Sequence, residues 1–172
     1  MTEYVLPNDT NTLGNLMGGR LLHWMDICAA MTAQRHTNRV CVTASVDSVD
    51  FRSPIHLGEI VNLESVVNRA FHTSLEVQVD VWAENPIMGS RRKCNTAFFT
   101  FVAVDEAYTK TNVPEIVVET DEQRQRFEGA LRRRELRLVM AGRMNLDDAH
   151  DLRTMLLHGT GADNDDKQRG DS

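Results

Sequence analysis

The feature that most constrains the fold of this chain is a helix that is apolar on nearly every side. It follows a glycine-rich loop and covers the segment GGRLLHWMDICAAMTA, which runs from Gly18 to Ala33. Only a narrow polar edge interrupts its apolar surface, so other elements must cover most of its circumference. One curved sheet would cover part of the helix, and a second copy of the chain would cover the rest.

A single carboxylate, Asp26, lies within this apolar helix. At about 100° per residue, its side chain falls on the same side as Leu22 and Ala30. The polar edge that contains Arg20 and His23 lies elsewhere on the helix. Burying a carboxylate without a partner is costly or shifts its pKa, so such a residue usually has a partner or a chemical task. The sequence therefore predicts either a satisfied core carboxylate or a functional group at Asp26.

The composition narrows the class of protein. The net charge of the chain is −6 at pH 7. A nucleic-acid-binding protein usually presents a basic surface, so no nucleic-acid partner is expected. No apolar run approaches the roughly 20 residues of a membrane span, and the first residues lack the pattern of a signal peptide. Three widely spaced cysteines indicate reduced thiols, and the histidines form no metal-binding pair. We therefore expect a metal-free, cytoplasmic protein without a membrane partner.

Extended segments follow the helix. Along residues 40–47, apolar side chains, mainly valines, alternate with polar ones. The alternation changes phase at Val49, which predicts a bulge near residues 47 and 48. Within residues 73–83 an apolar set alternates with a polar set, and the first should point inward and the second outward. The inward set is Leu75, Val77, Val79 and Val81, and the outward set is Glu76, Gln78 and Asp80. Short turns between the segments predict antiparallel pairing. The predicted strands are residues 4–6, 40–47, 60–71, 73–83 and 93–104.

The composition becomes polar after Val104. Thr120 and Gln123 have the pattern of a capping box and predict a helix that ends near residue 138. A weaker amphipathic segment at residues 146–157 predicts a second helix, and the polar, glycine-containing end of the chain should be disordered. The predicted organisation is a main domain at residues 1–118, a helical extension at residues 119–158 and a disordered tail at residues 159–172.

The loop before the central helix resembles that of a known enzyme family. Hotdog-fold acyl-CoA thioesterases of the brain acyl-CoA hydrolase type have a signature similar to DTNxxGxxxGGxxxxWMD, which runs here from Asp9 to Asp26. The resemblance extends over roughly residues 3 to 130. It implies an α+β hotdog fold, in which an antiparallel β-sheet is wrapped around a long central α-helix, here with a C-terminal helical extension.

The resemblance also implies a catalytic pair, which maps onto Asn11 in the loop and Asp26 in the helix. The expected reaction is hydrolysis of an acyl-CoA thioester, with no cofactor because coenzyme A is part of the substrate and product. Backbone N–H groups at the helix start, near Gly18 and Gly19, can stabilise charge on the carbonyl oxygen. Asp26 would activate a water molecule or attack the carbonyl itself, and the sequence leaves both routes open.

The spacing of the catalytic pair predicts active sites shared between two chains. If the helix begins near Gly18, Asp26 lies about 12 Å along its axis. Asn11 precedes the helix, so it would meet the Asp26 of an antiparallel partner more easily than that of its own chain. We therefore expect a homodimer, and the family suggests a hexamer built as a trimer of dimers.

Coenzyme A carries phosphates, which need basic or N–H donors. The resemblance implies that one end of the sheet lies near the nucleotide, although ordinary edge and turn charges would give the same pattern. Thr43 and Ser45, on the strand after the helix, could bind near the reacting carbonyl. The candidate coenzyme A-binding residues are Arg69, Thr73, Ser74, Arg91, Arg92 and Lys93.

Two other functions are compatible with this resemblance. A non-catalytic acyl-CoA-binding or sensing protein could use the same fold, but it would not need both Asn11 and Asp26. A hotdog hydratase or dehydratase needs a histidine beside an acid, and no histidine occupies a motif position in this sequence. Hydrolysis of acyl-CoA is therefore the favoured function.

Overall fold

The structure is a computed structural model that describes residues 1–47, 49, 51 and 53–158. The chain forms two compact units, which divide between Val117 and Val118. The tail that was predicted to be disordered, residues 159–172, lies outside the described residues. Among the helices of the described part, none is long and apolar enough to cross a membrane.

The first unit is an antiparallel sheet wrapped around one long helix. The strands are ordered β1-β3-β4-β5-β2 across the sheet, and every neighbouring pair is antiparallel. This arrangement confirms the predicted hotdog architecture. The elements are β1 (Thr2–Tyr4), α1 (Gly18–Thr37), β2 (Val40–Val46), β3 (Ile60–Ala70), β4 (Ser74–Asn85) and β5 (Ser90–Val104).

The core lies between one side of α1 and the odd-numbered residues of β4. Met25, Ala29 and Ala33 of α1 have no exposed surface, and they belong to one apolar cluster with the four core residues of β4. The predicted inward set of β4 is confirmed. Glu76 lies on the opposite face, as predicted, but it is only 1% exposed there, and its carboxylate accepts a hydrogen bond from Asn68. The core residues of β4 are Leu75, Val77, Val79 and Val81.

The valines of strand β2 face away from the core. Cys41 is buried, whereas Val40 and Val42 are 57% and 43% exposed. The reason is the pairing with β5, which sets Cys41 opposite the buried Ala103 and leaves the valines facing away from the core. The pairing with β5 has a bulge between Thr43 and Ser45. The bulge predicted near residues 47 and 48 involves residue 48, which lies outside the described residues. β2 is therefore an edge strand with an apolar exposed side.

The second unit contains two helices, α2 (Asp121–Met140) and α3 (His150–His158). A short 3-10 turn precedes α3. The predicted capping box is confirmed, because Thr120 and Gln123 each accept a hydrogen bond from the other's backbone N–H. The buried carboxylate of Glu135 on α2 accepts a hydrogen bond from the N–H of Leu152 at 2.7 Å. This contact satisfies an otherwise free N–H in the first turn of α3 and ties the two helices together.

Candidate active site

The loop before α1 is closed by contacts between its two ends. The main-chain oxygen of Asp9 accepts a hydrogen bond from the N–H of Met17 at 2.9 Å. The Asp9 carboxylate is buried, and it binds the Nε of Arg20, in the first turn of α1, at 2.7 Å. Because an ion pair with a buried member is screened less by water than one on the surface, it can hold this loop against the helix. The loop is thereby fixed at the N-terminal end of α1.

Asn11 lies inside this closed loop and organises it. Its Oδ1 accepts hydrogen bonds from the N–H groups of Leu13 and Asn15, at 2.9 and 3.1 Å. Its own N–H donates to the main-chain oxygen of Asn15. The side chain is exposed, and among the described residues no acceptor meets its Nδ2. The Asn11 amide is thus held in orientation while one donor remains available.

The first turn of α1 presents backbone donors. Met17 is the N-cap residue and gives no side-chain hydrogen bond to the helix. In the described part of the chain, the N–H groups of Gly18 and Gly19 meet no acceptor, as expected for the first positions of a helix. Among the described residues, no atom lies within 4 Å of where a Gly19 side chain would begin, whereas a Cβ on Gly18 would lie 3.3 Å from the ring of Phe51. A substrate oxygen can therefore approach the backbone at Gly19.

Asp26 opens into a pocket of about 530 Å³. The prediction that it is buried is wrong for the single chain, because the side chain is only partly covered. The same side of α1 leaves Ile27 and Met31 39% and 38% exposed, so the sheet of one chain covers the helix incompletely. The pocket is lined by Gly19, Leu22, His23, Asp26, Val46, Val49, Phe51 and Phe99.

Thr43 holds the carboxylate of Asp26. Its Oγ1 donates to Oδ1 of Asp26 at 2.7 Å, across the space between β2 and α1. The bulge after Thr43 alters the local twist of the strand, which is a common way to aim a side chain at a site. The sequence suggested Thr43 as a residue near the reacting carbonyl, but the alternation pattern does not reveal its contact with Asp26.

The chain does not join its own Asn11 to its own Asp26. No contact between the two side chains is found among the described residues, and Asn11 does not line the pocket of Asp26. α1 begins at Gly18, as predicted, so Asp26 lies about 12 Å along the helix from the closed loop. The two members of the candidate pair are thus separated within one chain.

The six candidate coenzyme A-binding residues fall into two groups. Ser74 pairs with Val102 at one end of β4, whereas Arg92 pairs with Ala83 near the other end, about 30 Å away at 3.4 Å per residue. The expectation that all six share one end of the sheet is therefore wrong. The β3–β4 hairpin carries Arg69, Thr73 and Ser74, and the start of β5 carries Arg91, Arg92 and Lys93.

The basic residues of β5 already have carboxylate partners. Arg92 binds both carboxylate oxygens of the buried Glu59, at 2.6 and 2.7 Å, and this hydrogen bonding lowers the pKa of Glu59. Lys93 binds Asp80 at 2.8 Å. Burial favours a higher pKa for Asp80, but the hydrogen bonds from Lys93 and Thr96 outweigh it and lower the pKa. These ion pairs connect strands and loops within the chain.

The cysteines do not form a nucleophilic or metal-binding site in the described structure. All three are free and buried. Burial raises the pKa of the Cys41 and Cys94 thiols, which keeps them protonated and unreactive. Among the described residues, no three side chains of histidine, cysteine, aspartate or glutamate are placed to hold a metal ion.

Comparison with known proteins gives a consistent assignment. The profile of the Thioesterase superfamily matches residues 13–89. The Bacillus subtilis protein named uncharacterized acyl-CoA thioester hydrolase YkhA is 43% identical over 122 residues, which are 71% of this chain and 71% of that protein. The chain belongs to the thioesterase superfamily. Mouse acyl-coenzyme A thioesterase 11 is 38% identical over 82% of this chain, but the chain spans only 24% of that longer protein.

Solved structures of superfamily members agree with this fold. The crystal structure of an apo-hexameric acyl-CoA thioesterase is 42% identical, with a TM-score of 0.79 over 82% of this chain and 90% of that chain. Acyl-CoA hydrolase from Staphylococcus aureus, in complex with butyryl coenzyme A, coenzyme A and coenzyme A disulfide, is 30% identical, with a TM-score of 0.76. That match covers 92% of this chain and 93% of the other.

Three further structures of the Staphylococcus aureus enzyme are variants in which an asparagine, an aspartate or a threonine is replaced by alanine. Along that chain, the aspartate follows the asparagine by 15 residues, and the threonine follows the aspartate by 17. Asn11, Asp26 and Thr43 have the same two spacings here. The three residue types thus recur in the same order and at the same separations.

Proposed function

We propose that this chain hydrolyses acyl-CoA thioesters to a free carboxylic acid and coenzyme A. The observation that carries the proposal is the pocket in which the carboxylate of Asp26, held by Thr43, lies on the same helix as the backbone donors near Gly19. The names of its relatives, acyl-CoA thioester hydrolase and acyl-CoA thioesterase, support the same reaction. Free cysteines fit a reducing, cytoplasmic location.

In the proposed reaction, Asp26 acts as general base or nucleophile. Thr43 holds Oδ1, so Oδ2 is the oxygen that faces the reacting group. As a base, it would take a proton from water while the water oxygen adds to the thioester carbon. The tetrahedral intermediate would then collapse with cleavage of the C–S bond, and the proton would pass to the departing thiolate. As a nucleophile, Asp26 would add to the thioester carbon, and cleavage of the C–S bond would release the coenzyme A thiolate and leave a mixed anhydride. Water would then hydrolyse the anhydride to the free acid and restore the carboxylate of Asp26, and the proton released would pass to the thiolate.

The start of α1 from the second copy, next to the Asn11 loop of that copy, would stabilise the oxyanion of this intermediate, because Asp26 lies about 12 Å along its own helix from Gly18. The N–H groups of Gly18 and Gly19 are free among the described residues, and the helix dipole places partial positive charge at this end. A donor of this kind typically lowers the barrier by about 3 kcal/mol. The absence of a side chain at Gly19 permits the carbonyl to approach, since nothing else occupies that space.

Asn11 would come from a second copy of the chain. The separation of Asn11 from Asp26 within one chain supports this arrangement. An uncovered apolar surface around the pocket, formed by the exposed side of α1 and the edge strand β2, gives a second copy an interface. Its residues are Ile27, Met31, Val40, Val42 and Val46. We propose a homodimer with shared sites that assembles into a trimer of dimers, and the hexameric neighbour supports an assembly of six chains.

The hairpin with Arg69, Thr73 and Ser74 is the better candidate for the phosphates of coenzyme A. Thr43 lies opposite Phe101, and Phe101 lies opposite Leu75, so Thr43 is two strands from the hairpin, about 10 Å. The guanidinium of Arg69 lies over the ring of Phe71, 5.6 Å from its centroid, at the same hairpin. The start of β5 is farther away, and its basic groups are bound to carboxylates.

The test is thiol release from a panel of acyl-CoA thioesters, from acetyl-CoA to palmitoyl-CoA, followed with a chromogenic disulfide. We expect release from at least one chain length, with a dependence on Asp26. Coenzyme A binding without release from any thioester would instead assign the chain as a non-catalytic acyl-CoA-binding protein. Because His23 lines the pocket of Asp26, the panel includes crotonyl-CoA, whose hydration would be detected by loss of its enoyl absorbance.

A further inference from the structure

The loop that carries Asn11 is fastened to a turn that lies much later in the chain. Asn15, in the loop, and His56, in the turn, pair as an antiparallel bridge. Main-chain hydrogen bonds of 2.7 and 3.0 Å flank this bridge on its two sides. They join Leu16 to Ile55 and Leu57 to Gly14. The turn therefore supports the loop.

The side chains of the two bridged residues are also in contact. Nδ1 of the His56 imidazole lies 2.8 Å from Oδ1 of Asn15. Because an amide oxygen can only accept, the imidazole donates this hydrogen bond. The N–H of His56 donates to the buried carboxylate of Glu59 at 2.8 Å, which fixes the backbone that bears the ring. The imidazole thus reaches Asn15 from an anchored position.

Asn15 links this contact to Asn11. Its N–H donates to Oδ1 of Asn11 at 3.1 Å, and its main-chain oxygen accepts from the N–H of Asn11 at 2.8 Å. The same residue therefore binds His56 through its side chain and Asn11 through its backbone. Since Oδ1 and Nδ2 of Asn11 belong to one planar amide, the hydrogen bond at Oδ1 also determines where Nδ2 points.

We infer that His56 is a positioning residue, which acts through Asn15 to fix the direction of the Asn11 amide. The inference rests on the proposed hydrolysis of acyl-CoA, in which the available donor of Asn11 orients the water or the carbonyl. A small error in such an orientation lowers the rate of the reaction. His56 does not line the pocket of Asp26 among the described residues, so it leaves the reacting atoms to other groups.

The test compares two substitutions of His56 that have similar volume. His56→Asn retains an N–H donor near the position of Nδ1, whereas His56→Leu has none. We expect His56→Leu to lower kcat about fivefold, the factor that one neutral hydrogen bond contributes, with KM within about twofold of the wild-type value. His56→Asn should keep most of the wild-type kcat. The control is His36→Leu, which removes a hydrogen bond of the same length to the main-chain oxygen of Pro114 and should leave kcat unchanged.

Combined variants test whether the effect passes through Asn15 and Asn11. Asn15→Ala removes the acceptor of the imidazole and should lower kcat by a similar factor, and adding His56→Leu should lower it no further. In Asn11→Ala, whose residual activity lacks the amide that His56 positions, His56→Leu should likewise have no further effect. Asn15→Ala also provides the measurement if His56→Leu does not fold.

Three results would overturn the inference. The first is a loss of kcat from His56→Leu that is as large in the Asn11→Ala background as in the wild-type protein, because His56 would then act elsewhere. The second is a lower melting temperature of His56→Leu with unchanged kcat, which would assign the contact to stability alone. The third is an equal loss of kcat in His36→Leu or in His56→Asn. Failure of the wild-type protein to release thiol from any thioester would instead remove the proposed function.

Discussion

The pocket of Asp26 and the start of β5 use charged residues in opposite ways. Among the described residues, Asp26 accepts one side-chain hydrogen bond, from Thr43, and it lines an open pocket. At the start of β5, each of the three cations is bound to a carboxylate of the same chain. The pairs are Arg91 with Glu64, Arg92 with Glu59 and Lys93 with Asp80.

A charged group indicates a functional site when folding leaves it able to bind a ligand, and its presence in the sequence alone is a weaker sign. The carboxylate of Asp26 can still act on a ligand, because folding supplies only one of its hydrogen bonds. The guanidinium of Arg92 already binds the carboxylate of Glu59 and the main-chain oxygen of Pro54. Changes at Asp26 should therefore affect catalysis, and changes at Arg92 should affect stability.

The largest expected effect is on catalysis at Asp26. Asp26→Asn should lower kcat at least about a hundredfold without a change in melting temperature, since the amide is nearly isosteric but cannot act as a base. Asp80→Asn is the matched control, because it changes a carboxylate that is bound to Lys93 and Thr96. It should leave kcat nearly unchanged and lower the melting temperature. An unchanged kcat in Asp26→Asn would assign this residue a structural role.

The second prediction concerns the sharing of the pocket between chains. Asn11→Ala and Asp26→Ala homodimers should each be nearly inactive. Refolding the two variants together in equal amounts should yield about half mixed dimers, each with one intact site, so about a quarter of normal activity should return. Mass spectrometry would confirm that subunits have mixed. Activity that stays at the homodimer background despite mixing would mean that both residues act within one chain.

Much of the first unit could be predicted from local patterns. The period of two in residues 73–83 identified the buried side of β4, since alternating apolar residues have one stable orientation against a helix. In the second unit, the capping box at Thr120 likewise identified the start of α2 from two side chains. The register of β2 could not be predicted this way. Its exposed valines give the same alternation as a buried set, and only its pairing with β5 decides between them.

The candidate site was predictable only where one segment of chain carries it. The loop with Asn11 and the helix with Asp26 are adjacent in sequence, so their pattern is visible without the fold. The contact from Thr43 depends on how β2 lies against α1, which sequence spacing does not show. The division of the basic residues between two ends of the sheet likewise follows from strand order, and not from their positions along the chain.

The third prediction concerns stability at the start of β5. Arg92→Met should lower the free energy of unfolding by about 3 kcal/mol, because it leaves the buried carboxylate of Glu59 without its main partner. The activity of the folded fraction should change little. Urea denaturation of Arg92→Met and the wild-type protein, alongside thiol release, would measure both effects. A large loss of kcat without loss of stability would show that Arg92 acts on the substrate.

The same ion pair predicts how stability depends on pH. Hydrogen bonding to Arg92 lowers the pKa of Glu59 in the folded state below its ordinary value of 4.5. A carboxyl group with a lowered folded pKa stabilises the protein fully above the unfolded pKa and loses that contribution as the pH falls through the folded pKa. The free energy of unfolding of the wild-type protein should therefore fall as the pH drops below about 4.5. In Glu59→Gln, which has no carboxyl group at this position, it should fall less over the same pH range.

The smallest expected effect is at Arg91, and it separates the two candidate phosphate sites. Both partners of the Arg91–Glu64 pair are exposed, at 46% and 60%, so Arg91→Gln should cost less than about 1 kcal/mol of stability. If the β3–β4 hairpin binds the phosphates, Arg91→Gln should leave KM within about twofold, whereas Arg69→Gln should raise it about tenfold through loss of a charged hydrogen bond. Added salt should weaken substrate binding by the wild-type protein more than by Arg69→Gln, because screening acts on the interaction that Arg69 provides. The opposite ranking, with KM raised by Arg91→Gln alone, would place the phosphates at the start of β5 and show that an ion pair on the surface can be exchanged for a ligand.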